Sequence, residues 1–375
     1  MRVLYANIVN GGGLETSIQW NHHNHTRYFC GGYIEDFKLA NDKISDSDVA
    51  QFDGNFVFIT LTKTTLTYYS DVFSTKTVFY YTDELEVVIS TSIESLDNRA
   101  YKKLPGGYKL EVTLSTGTVS TARYVSLKTN SEEVSIEQAH SIIDDITYKL
   151  PTDRIALSLS EGFDSGVLCA SLTHHKKQFT GISINLLSAN DILNSRHDKI
   201  LSGVIISPTL ADDYRIYEKY SKDVCDLNLI DSYSPSLLKT WGFKGACMIF
   251  EECVKKELHT CVTGIAGDAV SLPNATLFYN HIESRKLPYP YNQALDIQNT
   301  CIKSERVAAL FNIELIHPFL FKRLWTAMNS IKSIDEKEYK AVFASYLKKH
   351  NFPYRVDETI STKVGLERCR LGSFL

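Results

Sequence analysis

The hydrophobic pattern of this chain changes period once, near residue 129, and that change restricts the fold more than any other feature. Before it, apolar residues come in short, strand-length runs. Phe56-Val57-Phe58-Ile59-Thr60-Leu61 and Thr65-Leu66-Thr67-Tyr68-Tyr69 are rich in β-branched and aromatic side chains, with Lys63-Thr64 between them, as expected of paired strands. Val78-Phe79-Tyr80-Tyr81 and Leu85-Glu86-Val87-Val88-Ile89-Ser90 repeat the pattern around Thr82-Asp83-Glu84. Leu104-Pro105-Gly106-Gly107 signals a turn before the alternating Tyr108-Lys109-Leu110-Glu111-Val112. Strands this closely spaced predict a sandwich or layered antiparallel sheet over residues 1–128.

After the polar stretch Thr129-Asn130-Ser131-Glu132-Glu133, the period becomes helical. Ser135 and Gln138 form a capping box, and Ile136, Ala139, Ile142, Ile143, Ile146 and Leu150 follow on one face. Strands predicted at 155–160, 179–186, 227–230 and 260–264 then alternate with helices at 166–174, 212–224 and 237–257. Such alternation predicts a doubly wound parallel sheet over 129–375, with ligands at the carboxyl ends of its strands. Residues 188–209 fit this alternation poorly and read as an insertion. Two domains also agree with 375 residues, more than one hydrophobic core fills.

Composition excludes several classes. Forty basic and 44 acidic side chains give a net charge of −4, which does not suit a nucleic-acid face. No apolar run approaches the roughly 18–20 residues of a membrane span, and the start is too short and too polar for a secretory signal. A cytoplasmic protein is expected. Eight scattered cysteines without a CxxC pair read as reduced, mostly buried thiols. His22, His23 and His25 in a polar stretch read as a loop in preference to a metal site.

The residues with most chemistry are Leu157-Ser158-Leu159-Ser160-Glu161-Gly162-Phe163-Asp164-Ser165-Gly166. Here a strand feeds a helix, whose amino terminus presents N–H groups and partial positive charge to phosphate oxygens. Ser160 and Ser165 add hydroxyl donors, and Asp164 is placed to hold Mg²⁺ against the same phosphates. The same residues also suit a plain strand-to-helix turn with Ser or Asp as its cap.

Ser160-Glu161-Gly162-Phe163-Asp164-Ser165 resembles the SGGxDS pyrophosphate loop of the asparagine synthetase family. Phe52-Asp53-Gly54-Asn55-Phe56 is similar to that family's LxGxFAF strand. Asp71-Val72-Phe73 with Val78-Phe79-Tyr80-Tyr81 resembles DRFGxxPLYY, and Leu104-Pro105-Gly106-Gly107-Tyr108 resembles LPPGH. Thr263-Gly264-Ile265-Ala266-Gly267-Asp268 is similar to SGEGxDE, His317-Pro318-Phe319-Leu320 to VPFLD, and Lys363-Val364-Gly365 to a late KxG. These seven fragments fall in the family's order across nearly the whole chain. The resemblance implies a glutamine-amidotransferase-type domain at 1–128 and an ATP-pyrophosphatase domain at 129–375. It implies ATP and Mg²⁺ as cofactors, with Asp164 and Asp268 as magnesium ligands. Leu157, Ser158, Ser160, Gly162 and Ser165 would line the pyrophosphate loop. Thr263 and Gly264 would lie beside the nucleotide, and Lys363 would neutralise charge on the phosphate and the tetrahedral intermediate. Taken alone, Asp268 also suits a helix cap, Lys363 a solvated surface, and Pro318-Phe319-Leu320 packing.

The departures are informative. Glutamine-using relatives expose an amino-terminal cysteine at residue 2; here that residue is Arg2, and Cys30 replaces an asparagine of the oxyanion hole. Losing the nucleophile and a donor together argues against glutaminase activity. Relatives without that cysteine, β-lactam and carbapenam synthetases and lasso-peptide cyclases, adenylate a carboxylate for attack by another amine. Glu161 replaces a loop glycine, and at ~4 Å from a phosphate charge it would cost about 1 kcal/mol in water and about 4 at a partly buried site. Ile265 stands where relatives carry a proton acceptor, a loss typically worth about 10²–10⁴ in rate; Glu161 is the candidate replacement. The expected activity is an ATP-dependent amide ligase acting on a small molecule or peptide, within natural-product biosynthesis, as a homodimer or with a biosynthetic partner. The alternative is a degenerate, non-catalytic homologue that binds a nucleotide or a partner. Relative to the family the carboxyl-terminal part is short, so an abbreviated lid over the nucleotide is expected.

Overall fold

The computed structural model describes residues 5–9, 13–23, 26–39, 44–92, 100–127, 133–152, 154–185, 191–209, 211–212, 215–216, 218–220, 241–267, 270, 291–331 and 340–354. Its amino-terminal part is two antiparallel sheets. The strands are β1 (Tyr5–Val9), β2 (Gly13–Thr16), β3 (Asn21–His23), β4 (Thr26–Ile34), β5 (Gly54–Leu61), β6 (Thr65–Ser70), β7 (Phe79–Thr82), β8 (Glu86–Ser90), β9 (Lys102–Lys103), β10 (Tyr108–Thr113) and β11 (Thr118–Arg123). They assemble in the orders β2-β1-β8-β7-β9 and β11-β10-β6-β5-β4-β3. All eight residues of β5 are buried, because both of its faces are covered. Val57, Ile59 and Leu61 meet Ala6, Ile8, Val87 and Ile89 of the other sheet in one cluster. Phe56 and Phe58 point the other way, into an aromatic cluster with Phe52 and Tyr69 beside α1 (Asp46–Val49).

The carboxyl-terminal part is a five-stranded parallel sheet flanked by helices. After α2 (Ile136–Lys149) come β12 (Ile155–Ser158), α3 (Phe163–His174), β13 (Thr180–Ile184), α4 (Asp191–His197), β14 (Gly203–Ile206), β15 (Thr260–Val262) and β16 (Glu314–Ile316). The strand order is β14-β13-β12-β15-β16, every pair parallel. Alternation along β12 shows the double winding. Ile155 and Leu157 enter the core built with α2 and α3, whereas Ala156 joins Cys247, Phe250 and Cys253 of the helix Trp241–Lys255 on the opposite face. The chain leaves β12 in one direction and returns to add β15 on its other side. The topological switch point therefore lies between β12 and β15, where open α/β sheets place ligands.

The Ser135–Gln138 capping box is formed, with both reciprocal bonds present. Residues 188–209, expected to be an insertion, instead contribute α4 and β14, which pairs with β13. Edge position explains the miss, since β14 is only four residues long and half-exposed or exposed throughout. The described helix α3 begins at Phe163, three residues before the predicted start, because Gly162 is its extended N-cap. Asn21-His22-His23, expected as loop, pairs with Thr26-Arg27-Tyr28 as a short hairpin; His25 lies outside the described residues, as does the strand predicted at 227–230. Six cysteines are described; all are free and all but Cys30 are buried. Among the described residues, no helix is long and apolar enough to cross a membrane.

The two parts are joined by polar contacts with little tolerance for slippage. Asp53 accepts hydrogen bonds from the Lys322 and Arg323 N–H groups at 2.6 and 3.1 Å, capping the helix Lys322–Met328 from the other side of the interface. Two residues on, Asn55 Oδ1 accepts from the His317 N–H at 2.6 Å. The consecutive residues Asp53-Gly54-Asn55 thus bracket the turn from His317 to Arg323, inside which Pro318, Phe319 and Leu320 are buried. Phe73 packs edge-on against Trp325 with ring centres 4.9 Å apart.

Candidate functional site

The loop after β12 folds on its own hydroxyls. Ser165 Oγ, in the first turn of α3, accepts from the Ser160 N–H at 3.0 Å and lies 2.9 Å from Ser160 Oγ. Ser160 Oγ in turn accepts from the Gly162 N–H at 3.2 Å. No side chain caps α3 at Gly162. The loop carbonyls turn inward, because fully buried Arg196 of α4 donates to Ser160 O and, at 2.9 Å, to Gly162 O. Gly166 is what admits this guanidinium: a Cβ there would lie 2.4 Å from Arg196 Nη2. With its carbonyls bound to Arg196, the loop sets the amino terminus of α3 at the carboxyl end of β12, with the Ser160 and Ser165 hydroxyls bonded to each other beside it, and a helix start of this kind suits anions.

The loop after β15 comes against the same helix start. A Cβ on Gly267 would fall 2.3 Å from Asp164 Cγ, and one on Gly264 would fall 3.1 Å from the Ser165 N, so both loops meet at Asp164. That carboxylate is paired with the ammonium of Lys340, whose side chain is 2% exposed. Lys340 holds a left-handed backbone, φ 53°, at the N-cap of the helix Ala341–Lys349; for a residue other than glycine this costs about 1 kcal/mol. Thr263 is buried, its Oγ1 2.7 Å from His317 Nδ1 and accepting from the Ile265 N–H at 3.3 Å.

Of the expected site residues, Ser158, Ser160, Gly162, Asp164, Ser165, Thr263 and Gly264 are brought together at the switch point. Leu157 has its side chain fully buried in the core cluster with α3, so only its backbone is available to a ligand there. Glu161 is half-buried beside the N-cap. Asp268 and Lys363 lie outside the described residues. Among the described residues, no group of three or more His, Cys, Asp or Glu gathers as for an all-protein metal cage. Sequence reasoning missed Arg196, Lys340 and His317 as partners of the site. Arg196 and Lys340 lie in segments without a turn or motif signal, and His317 was read only as the first residue of a packing segment.

Cys30, in the middle of β4, does not have the character of a nucleophile. Partial burial, reinforced by the charge of Glu314, pushes its thiol up to about 12. At pH 8.5 the thiolate fraction is then below about one in a thousand. Iodoacetamide at that pH is expected to leave Cys30 unmodified in the folded protein and to label it after denaturation, as read by peptide mass mapping. Rapid labelling of the native protein would contradict this assignment.

No protein-family model and no curated protein matches the sequence. Among solved structures, the allosteric regulatory enzyme of purine biosynthesis is similar at TM-score 0.20 and 8% identity, over 44% of this chain and 49% of that one. A glutamine phosphoribosylpyrophosphate amidotransferase from B. subtilis, complexed with ADP and GMP, is similar at TM-score 0.25 and 9% identity, over 57% of this chain and 64% of that one. The chain therefore spans about half the length of the first and just under two thirds of the second. Similarity at this level is too low to assign a fold or an activity.

Proposed function

We propose that the chain is an ATP- and Mg²⁺-dependent amide ligase resembling the asparagine synthetase family, joining a carboxylate to an amine that does not come from glutamine. In that reaction a carboxylate oxygen attacks the α-phosphorus and pyrophosphate leaves; the amine then attacks the activated carbonyl, losing a proton as AMP departs. The observation that carries the reading is the meeting of two glycine-bearing loops on Asp164 at the switch point of a parallel sheet. There Ser160, Ser165 and the amino terminus of α3 converge with Lys340. These residues fit a magnesium nucleotide, because Mg²⁺ is bound through one or two carboxylates plus substrate phosphates. Bound there, the ion would neutralise charge on the phosphates. Asp164 would hold it, Ser160 and Ser165 would donate to phosphate oxygens, and Lys340 would add positive charge. Substrates of the β-lactam synthetase or peptide-cyclase type, a homodimeric state and a cytoplasmic setting belong to this same proposal.

A second reading, a nucleotide- or partner-binding homologue without ligase activity, draws on two features. Lys340 neutralises the carboxylate expected to hold magnesium, and Ile265 offers no proton acceptor. Pure protein with ATP, Mg²⁺ and a panel of amino-carboxylates and short peptides separates the two. The ligase reading expects pyrophosphate release and exchange of labelled pyrophosphate into ATP. Nucleotide binding without either, across the panel, supports the second reading. Absence of binding at millimolar ATP in a folded preparation overturns both as nucleotide-binding proposals.

A further inference from the structure

A buried polar chain crosses from the amino-terminal sheets to the floor of the proposed nucleotide site. Lys76, from the segment between β6 and β7, is 1% exposed, and its Nζ lies 2.5 Å from Glu305 Oε1 and 3.0 Å from Leu315 O. Glu305, on the helix Tyr291–Leu310, places the same oxygen 3.5 Å from His317 Nε2. His317 is fully buried and reaches Thr263 with its other ring nitrogen at 2.7 Å. Its backbone N–H is held by Asn55, so the residue is anchored on the β side by its peptide and on the loop side by its ring.

The chemistry of the four groups sets the direction of this chain. Burial pushes the His317 imidazole below its ordinary value, against the pull of Glu305, so the ring is neutral near pH 7. Burial alone would raise the Glu305 carboxyl, but Lys76 and His317 hold it low, so it is charged. Among the described residues Nε2 has no hydrogen-bond partner and faces the Glu305 carboxylate at 3.5 Å, an electrostatic contact that favours the ring proton on Nε2 and leaves Nδ1 to accept from the Thr263 hydroxyl. Thr263 Oγ1 keeps lone pairs for the Ile265 N–H, as observed. The Thr263 hydroxyl then points from the loop toward His317 and the ring toward Glu305, while Lys76 donates to the same carboxylate from the β side. An apolar cluster of the same volume would stabilise the interface as well or better, so stability alone does not account for four buried polar side chains from separate segments.

We propose that Lys76, Glu305 and His317 are positioning residues through which the amino-terminal β sheets fix the Thr263–Gly267 loop against Asp164. In this role the β part of the molecule acts on the phosphate-binding floor without contributing a catalytic group. The consequence for nucleotide affinity rests on the function proposed above; the consequence for loop order does not.

The test uses the full chain and two readouts: amide hydrogen exchange at residues 264–267, and affinity for Mg-ATP. Lys76→Met and Thr263→Val are each expected to speed exchange at 264–267 and to weaken Mg-ATP by about tenfold, leaving the β10–β11 hairpin unchanged. The double variant should be no worse than the weaker single, and Thr263→Ser should restore wild-type exchange. Glu305→Gln, which keeps volume and loses charge, gives the same comparison if Lys76→Met does not fold. Unchanged exchange at 264–267 in Lys76→Met or Glu305→Gln, or fully additive effects in the double variant, would overturn the relay. Should the wild-type chain bind no Mg-ATP, the nucleotide reading falls and the exchange data alone decide the relay.

Discussion

Glu305→Ala is expected to destabilise the folded protein by about 3–5 kcal/mol, the usual result of removing one partner from a buried ion pair. Lys76 would be left 1% exposed, with the Leu315 carbonyl at 3.0 Å still beside it and the His317 ring without its carboxylate. The measurement is a urea unfolding series, in which the midpoint falls while the slope stays near wild type. Glu305→Gln retains an acceptor for Lys76 and should lose less than half as much. A midpoint for Glu305→Ala within about 1 kcal/mol of wild type would mean that water compensates Lys76, and the interface would then be looser than its packing indicates.

The second large effect is on the proposed reaction. Asp164→Ala should lower pyrophosphate release by about 10²–10³, the magnitude seen when a preorganised electrostatic group is removed from a reacting centre. The alanine variant also leaves Lys340 buried without its carboxylate, so part of its loss would come from folding. Asp164→Asn keeps the shape and still accepts from Lys340. It should fold as wild type does yet remain as inactive as the alanine variant. If Asp164→Asn keeps more than about a tenth of the wild-type rate, a loss under about 1.4 kcal/mol, the carboxylate is not the metal ligand and the ligase reading loses its central residue.

The two predictions depend on opposite kinds of legibility. Asp164 was visible in the sequence because a strand, a serine-glycine turn and a helix follow one another within a dozen residues, and local order alone implies an anion-binding helix start. The same holds for the capping box at Ser135, where a three-residue spacing carries the signal. β14 was not legible for a related reason: four residues at a half-exposed edge do not make a periodic pattern. Leu157 was grouped with the loop by sequence position, although strand alternation turns its side chain into the core.

The partners of the site belong to another class. Lys76 and Glu305 are 229 residues apart, Lys340 and Asp164 176, and Arg196 and Ser160 36. No periodicity or turn chemistry links positions so distant, because hydrophobic patterning specifies which face of an element is buried and not which polar group it will meet. The sequence by itself pointed to an antiparallel β part followed by a parallel α/β part, and to the strand–loop–helix segment that carries serines, a glycine and an aspartate. Only the tertiary structure decided that a buried arginine holds that loop's carbonyls, that a lysine pairs with its aspartate, and that a lysine between β6 and β7 meets a glutamate 3.5 Å from the histidine that contacts the second loop's threonine. The physical reason is that secondary structure follows from short-range sterics and period, whereas charge pairing in a core depends on which surfaces the packed layers bring together.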